Sequence, residues 1–135
     1  MEQFTLVITG IIAVISTHIV NVNFRQGDIR ASALLSLIVG GFFFFFPDIT
    51  TSYLVKNIPI VFIGASFVGM AHSKILSNYI FLIISGFVFS LIYLNASQFF
   101  AGYGGGLGTT ACISVSVSIG LYLASKTIRE RAIRN

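Results

Sequence analysis

The residues of this 135-residue chain best placed to do chemistry lie at Gly102-Tyr103-Gly104-Gly105-Gly106-Leu107-Gly108-Thr109-Thr110. Five of the first seven are glycine. Glycine lets a backbone approach a solute closely and adopt left-handed geometry. Where such a segment feeds a helix, free N–H groups and the positive end of the helix dipole face outward, which suits an anion or a polar solute. Beyond it, Thr110, Ser114, Ser118 and Tyr122 follow one another at four-residue spacing and share one helix face. Thr109, Cys112, Ser116 and Gly120 form a second face of small residues. Gly104, Gly105, Gly106, Gly108, Thr109, Thr110, Ser114 and Ser118 are therefore the candidates for contacting a solute or lining a pore. Two readings stand beside this one. The glycines also suit a flexible connector with close helix packing, and the hydroxyls also suit bonds to the carbonyls of their own helix.

His18 is the second chemical candidate, with Ser16, Thr17, Asn21 and Asn23 nearby. A histidine in a membrane helix reads as a gating or proton-sensing group, or as a structural residue near the interface. Gly64-Ala65-Ser66 resembles the serine segment of an intramembrane protease. A serine nucleophile needs a base within hydrogen-bond reach, and only His18 and His72 are on hand. No catalytic residue is expected. No cluster of His, Cys and carboxylates has metal-ligand spacing, and Cys112 is the sole thiol, so neither a metal, a cofactor nor a disulfide is expected.

The elements that must position these residues are apolar. Hydrophobic residues make up 56% of the chain and charged ones 9%, with a mean hydropathy of +0.94. Soluble domains carry roughly a quarter charged residues. Five apolar stretches, at about 4–22, 31–46, 54–71, 79–96 and 107–125, predict an all-α integral membrane bundle of five transmembrane helices, one domain over residues 1–135. Pro47 is expected to end the second helix, because proline disfavours helical geometry in the residue before it. The run Phe42 to Phe46 places aromatic rings on all sides of one turn, an arrangement suited to lipid. Ile113 to Ile119 alternates serine with branched apolar residues, a strand pattern. An isolated strand in lipid leaves its backbone unpaired, so a serine-rich helix is expected, and its two small polar faces predict a central place in the bundle.

Loop charges set an orientation. Arg25, Arg30, Lys74, Lys126, Arg129, Arg131 and Arg134 fall on one side of a five-span chain, and Lys56 alone on the other. Seven bases against one predict an outside N-terminus and a cytoplasmic C-terminus. Tyr53, Tyr93 and Tyr103 then mark the outer interface, Tyr79 and Tyr122 the inner one. A four-span arrangement, with the third stretch dipping in and out, is the competitor. Met1-Glu2-Gln3 supplies no basic stretch ahead of the first apolar run, so that span is expected to be retained. The net charge of +4 does not imply nucleic acid, because the bases flank membrane spans. The basic tail is expected to pin the last helix to anionic lipid.

Small residues four apart, Ala65 with Gly69, Gly86 with Ser90 and Gly104 with Gly108, suit helix packing or self-association. No acidic residue lies deep in a span, which argues against a carboxylate-based ion-coupled pump. Two functional expectations follow. One is an oligomeric channel or facilitator-type transport subunit for an ion or small solute. The other is a non-catalytic subunit or assembly factor packed on a larger membrane protein. The lipid bilayer is a partner in both, and a bacterial inner membrane suits the charge bias.

Overall fold

The computed structural model describes residues 1–24, 27–75, 78–96 and 105–134. Five α-helices follow one another: α1 Glu2–Phe24, α2 Asp28–Phe45, α3 Ser52–Ile75, α4 Tyr79–Ala96 and α5 Gly106–Arg134. A short 3-10 turn, Pro47–Ile49, separates α2 from α3. No strand occurs among the described residues. Four of the helices, α1, α3, α4 and α5, are long and apolar enough to cross a membrane. Leu37, Phe44, Phe45, Ile80 and Leu123 are among many large apolar side chains on the outer surface. An apolar exterior around a packed interior is what lipid requires, and the chain is a multi-pass membrane protein.

Local sequence explains where the helices begin and end. Gly27 adopts a φ of 88°, and its carbonyl accepts from the Ala31 N–H at 3.1 Å as α2 begins. Before Pro47, Phe46 leaves helical geometry at φ −127°, ψ 65°, so α2 stops at Phe45 as expected. Pro59 lies inside α3. It withdraws one N–H from the ladder, and it lines a crevice of about 450 Å³ with Gly40, Phe43, Phe44, Pro47 and Val55 where α2 passes α3. Most span hydroxyls bond within their own helix. Thr9 donates to the Thr5 carbonyl at 2.8 Å and Ser16 to the Ile12 carbonyl at 2.6 Å. No hydroxyl proton of these residues is left facing hydrocarbon.

The core is built where α1, α3 and α4 meet, from Leu6, Val14, Val61, Val68, Leu82 and Phe89 among others. The central helix is α3, which packs against each of the other four. This corrects the expectation that α5 is central. Only one face of α5 is covered, while Thr109, Cys112, Ser116 and Gly120 on the other are exposed. Two of the small-residue pairs do pack inside the subunit. A Cβ at Gly86 would meet the Ile11 Cα at 3.0 Å and the Gly10 carbonyl at 3.3 Å, and one at Gly69 would meet the Val14 carbonyl at 2.8 Å. Gly108 has open space around it instead.

Cross-helix pairs fix the direction of each helix. Ser32 faces Ser66, so α2 runs antiparallel to α3, a register repeated where Gly40 and Phe43 lie by Pro59 and Val55. Asn57 meets Tyr93, and Gly64 meets Phe89, so α3 and α4 are antiparallel. Gly10 meets Ser90, and His18 meets Tyr79, so α1 opposes α4 and runs parallel to α3. Ser85 with Ser118 and Phe81 with Tyr122 make α5 antiparallel to α4. Direction therefore alternates at every turn of the chain. Tyr53 and Tyr93 lie toward one end of the bundle, Tyr79 and Tyr122 toward the other.

Candidate functional site

The hydroxyl face of α5 was the leading candidate, and its residues divide between two environments. Gly104 lies outside the described residues, as do Gly102 and Tyr103. Gly105 forms an exposed turn, and its carbonyl accepts from the Thr109 N–H at 3.0 Å. Gly106 begins the helix and is buried. Gly27 is the positive-φ glycine among the described residues, so Gly105, Gly106 and Gly108 do not use the left-handed geometry that glycine permits. A Cβ at Gly105 or Gly108 would meet nothing within 4 Å. What the first turn of α5 does provide is a set of N–H groups with no acceptor inside the helix, as at every helix start.

Thr110, Ser114 and Ser118 turn inward and are buried. Thr110 donates to the Gly106 carbonyl at 2.8 Å, and Ser114 to the Thr110 carbonyl at 2.7 Å. Ser118 reaches α4, with its Oγ 2.5 Å from the Ser85 Oγ. Ser85 also lies 2.8 Å from the Phe81 carbonyl. A hydroxyl has one proton, and Ser85 directs it to the Ser118 Oγ, with the Phe81 carbonyl as its alternative acceptor. Bonds of this kind between membrane helices contribute about 0.6 kcal/mol on average. On the inward face of α5, Ser118 thus joins α5 to α4, while Thr110 and Ser114 stay bonded within their own helix. Thr109 faces outward, its hydroxyl shared between the Gly105 and Gly106 carbonyls at 3.2 and 2.9 Å. Ser116 also faces outward and donates to the Cys112 carbonyl at 2.9 Å.

His18 is 5% exposed, packed edge-on against Tyr79 with ring centroids 5.7 Å apart. Its Nδ1 and the Thr17 Oγ1 are buried without hydrogen-bond partners. The histidine is therefore inside the bundle, between α1 and the start of α4. Ser66 is fully buried. Its Oγ lies 2.7 Å from the Ile63 carbonyl and 2.6 Å from the Ser32 Oγ, neither of which is a base. Ser66 gives its proton to the carbonyl, so Ser32 is the donor, and the pair ties α2 to α3. Sequence reasoning missed Ser32 and Ser85 as partners because each bond spans more than 30 residues.

A further feature lies at the end of the bundle that carries Tyr79. A cleft of about 680 Å³ is lined by Asn78, just ahead of α4, by Phe81 of α4 and by Tyr122, Ser125, Lys126, Arg129 and Glu130 from α5. The sequence places these bases beside a span but gives no sign that α4 stops short against them.

No protein-family model, curated protein or solved structure matches this chain.

Proposed function

We propose that this protein is an oligomeric channel or facilitator-type transport subunit for an ion or small solute, non-catalytic, with its pathway between subunits along α5. One observation carries the reading. The inward hydroxyls of α5 are committed, Thr110 and Ser114 to carbonyls of their own helix and Ser118 to Ser85 of α4, while the outward face carries Gly108, Cys112, Ser116, Gly120 and Ala124 at four-residue spacing, all exposed. Small residues at this spacing let two membrane helices approach closely. Thr109 and Ser116 on the same side keep acceptor lone pairs for water or a cation, although their protons are committed. A second reading rests on those same committed protons. A small, nearly donor-free face also suits docking on a helix of a larger membrane protein.

Gly120→Leu tests the assembly. A Cβ there would meet nothing within 4 Å, so the fold tolerates the change. The expected result is an intact monomer in mild detergent, loss of the homo-oligomer by native mass spectrometry, and loss of flux from liposomes. A wild-type protein that is monomeric alone and co-purifies with one larger membrane protein would favour the second reading.

The proposed membrane topology has five crossings, an outside N-terminus and a cytoplasmic C-terminus, in a bacterial inner membrane. The parallel course of α1 and α3 supports it, because the chain between them must return across the bilayer, and α2 is the helix available. At 18 residues α2 is about 27 Å long, close to the hydrocarbon thickness. The charge bias supports the orientation. A reporter active only in the cytoplasm should be active after Asn135 and silent after Asp48 or Ala101. Activity at Ala101 would refute five spans.

A further inference from the structure

The cleft between α4 and α5 is the feature that the transport reading leaves unused. It arises from a difference in helix length. Ser85 pairs with Ser118 and Phe81 with Tyr122, so the first residue of α4, Tyr79, lies opposite the region of residue 124. From there α5 continues to Arg134, about ten residues or roughly 15 Å further, with no described residue of α4 beside it. A step is left where the start of α4 meets the flank of a longer helix.

The chemistry changes with depth across this step. Phe81 and Tyr122 form the floor, edge to face at 5.4 Å. One turn out, Ser125 donates to the Tyr122 carbonyl at 2.8 Å. Next come Lys126 and Arg129, followed by Glu130, whose carboxylate is 3.9 Å from the Lys126 Nζ. Asn78 lines the opposite wall, and its carbonyl accepts from the Phe81 and Leu82 N–H groups at 3.1 and 3.3 Å. The N–H groups ahead of these have no acceptor within α4. Two cations, one carboxylate and a helix N-terminus leave the cleft net positive. Its outer neighbours on α4, Tyr79 and Ile80, are 57% and 65% exposed and continue into the apolar exterior. Aromatic floor, cationic wall and apolar flank follow the order of a phospholipid from glycerol to phosphate beside its acyl chains.

We infer that this cleft binds the phosphate of an anionic glycerophospholipid headgroup, with Lys126 and Arg129 as its cationic ligands and Phe81 and Tyr122 beneath the glycerol. Arg129 offers a planar fork to the phosphate oxygens, and Lys126 a point charge. Glu130 opposes the anion and competes for Lys126. The site stands on the membrane fold and does not depend on what the protein transports.

The full-length protein in nanodiscs tests this. Retained lipid is counted by native mass spectrometry as phosphatidylglycerol replaces phosphatidylcholine. Preferential retention of phosphatidylglycerol is expected. The Lys126→Gln, Arg129→Gln double variant should weaken it about thirtyfold, five- to sixfold per base. Glu130→Gln should strengthen it, the opposite of what a purely structural ion pair would give. Arg131→Gln removes an exposed charge from the same helix outside the cleft and should change little. Competition with glycerol phosphate and with inorganic phosphate distinguishes the source. No displacement at millimolar concentration assigns the site to lipid, and displacement assigns it to a soluble phosphate on the same ligands. Equal weakening by Arg131→Gln, or equal retention of both lipids by the wild type, would overturn the site.

Discussion

Gly86→Leu is expected to keep α1 and α4 from closing and to lower stability by about 3 kcal/mol or more, the upper range for overpacking a filled interface. The cause is the nature of the neighbours. A Cβ at position 86 would stand 3.0 Å from the Ile11 Cα, 3.3 Å from the Gly10 carbonyl and 3.3 Å from the Val14 Cγ2. Two of these are backbone atoms and cannot rotate away. Leucine then adds three more carbons, so a whole helix has to shift. That shift also moves Ser90, whose Oγ occupies the space a Cβ at Gly10 would need. Without the close α1–α4 approach, the core residues Val14, Leu82 and Phe89 lose shared contacts. Phe44→Leu is the comparison. Phe44 is 80% exposed, and a change there should stay within about 0.5 kcal/mol. Thermal melting in detergent, read by loss of the monodisperse species, measures both. If Phe44→Leu were the more damaging, the division of helix faces into protein-facing and lipid-facing would be wrong.

The helices were legible in the sequence because lipid imposes one rule, that every backbone group be paired within its own segment. Continuous apolar runs therefore had one reading, and Pro47 fixed a boundary through local sterics. Even the strand-like alternation at Ile113 to Ile119 yielded to that rule and is helical. Gly86 and Gly69 were readable because each has a small residue one turn away. Gly10 and Gly64 were not, because Leu6, Val14, Ile60 and Val68 flank them at that spacing. Their small size is set by what crosses them, and that is a fact about another helix. The candidate site was less legible for the same reason. Spacing put Thr110, Ser114 and Ser118 on one face of α5, but it did not say which way the face turned. The structure turns it inward, onto Ser85 and the carbonyls of α5 itself. The second small-residue face is the one left outside.

Where α3, α4 and α5 meet, Phe89→Ala is expected to be the most damaging truncation of an aromatic residue. Phe89 is fully buried. Its ring stacks on Tyr93 at an interplanar angle of 16° and a centroid separation of 6.4 Å. The tip of the ring fills the space above Gly64 that a Cβ there would need, and Leu107 Cδ2 lies 3.0 Å from the same point. One side chain thus closes the junction of three helices. In water, truncating a buried Phe costs about 3–5 kcal/mol. In lipid the transfer term is small, because the unpacked helix still sits in hydrocarbon. The loss is then mainly of packing, and about 3 kcal/mol is expected. Gly64→Ala alone should cost about 1–3 kcal/mol by pressing its methyl into the ring. The two changes should not add. With the ring gone, the methyl at 64 enters vacated space, so the double variant should be at least about 1 kcal/mol more stable than the sum of the single losses predicts. A double-mutant cycle by detergent melting gives this coupling directly. Strict additivity would mean that the Phe89 ring does not rest on Gly64, and that the three-helix junction is closed by other side chains.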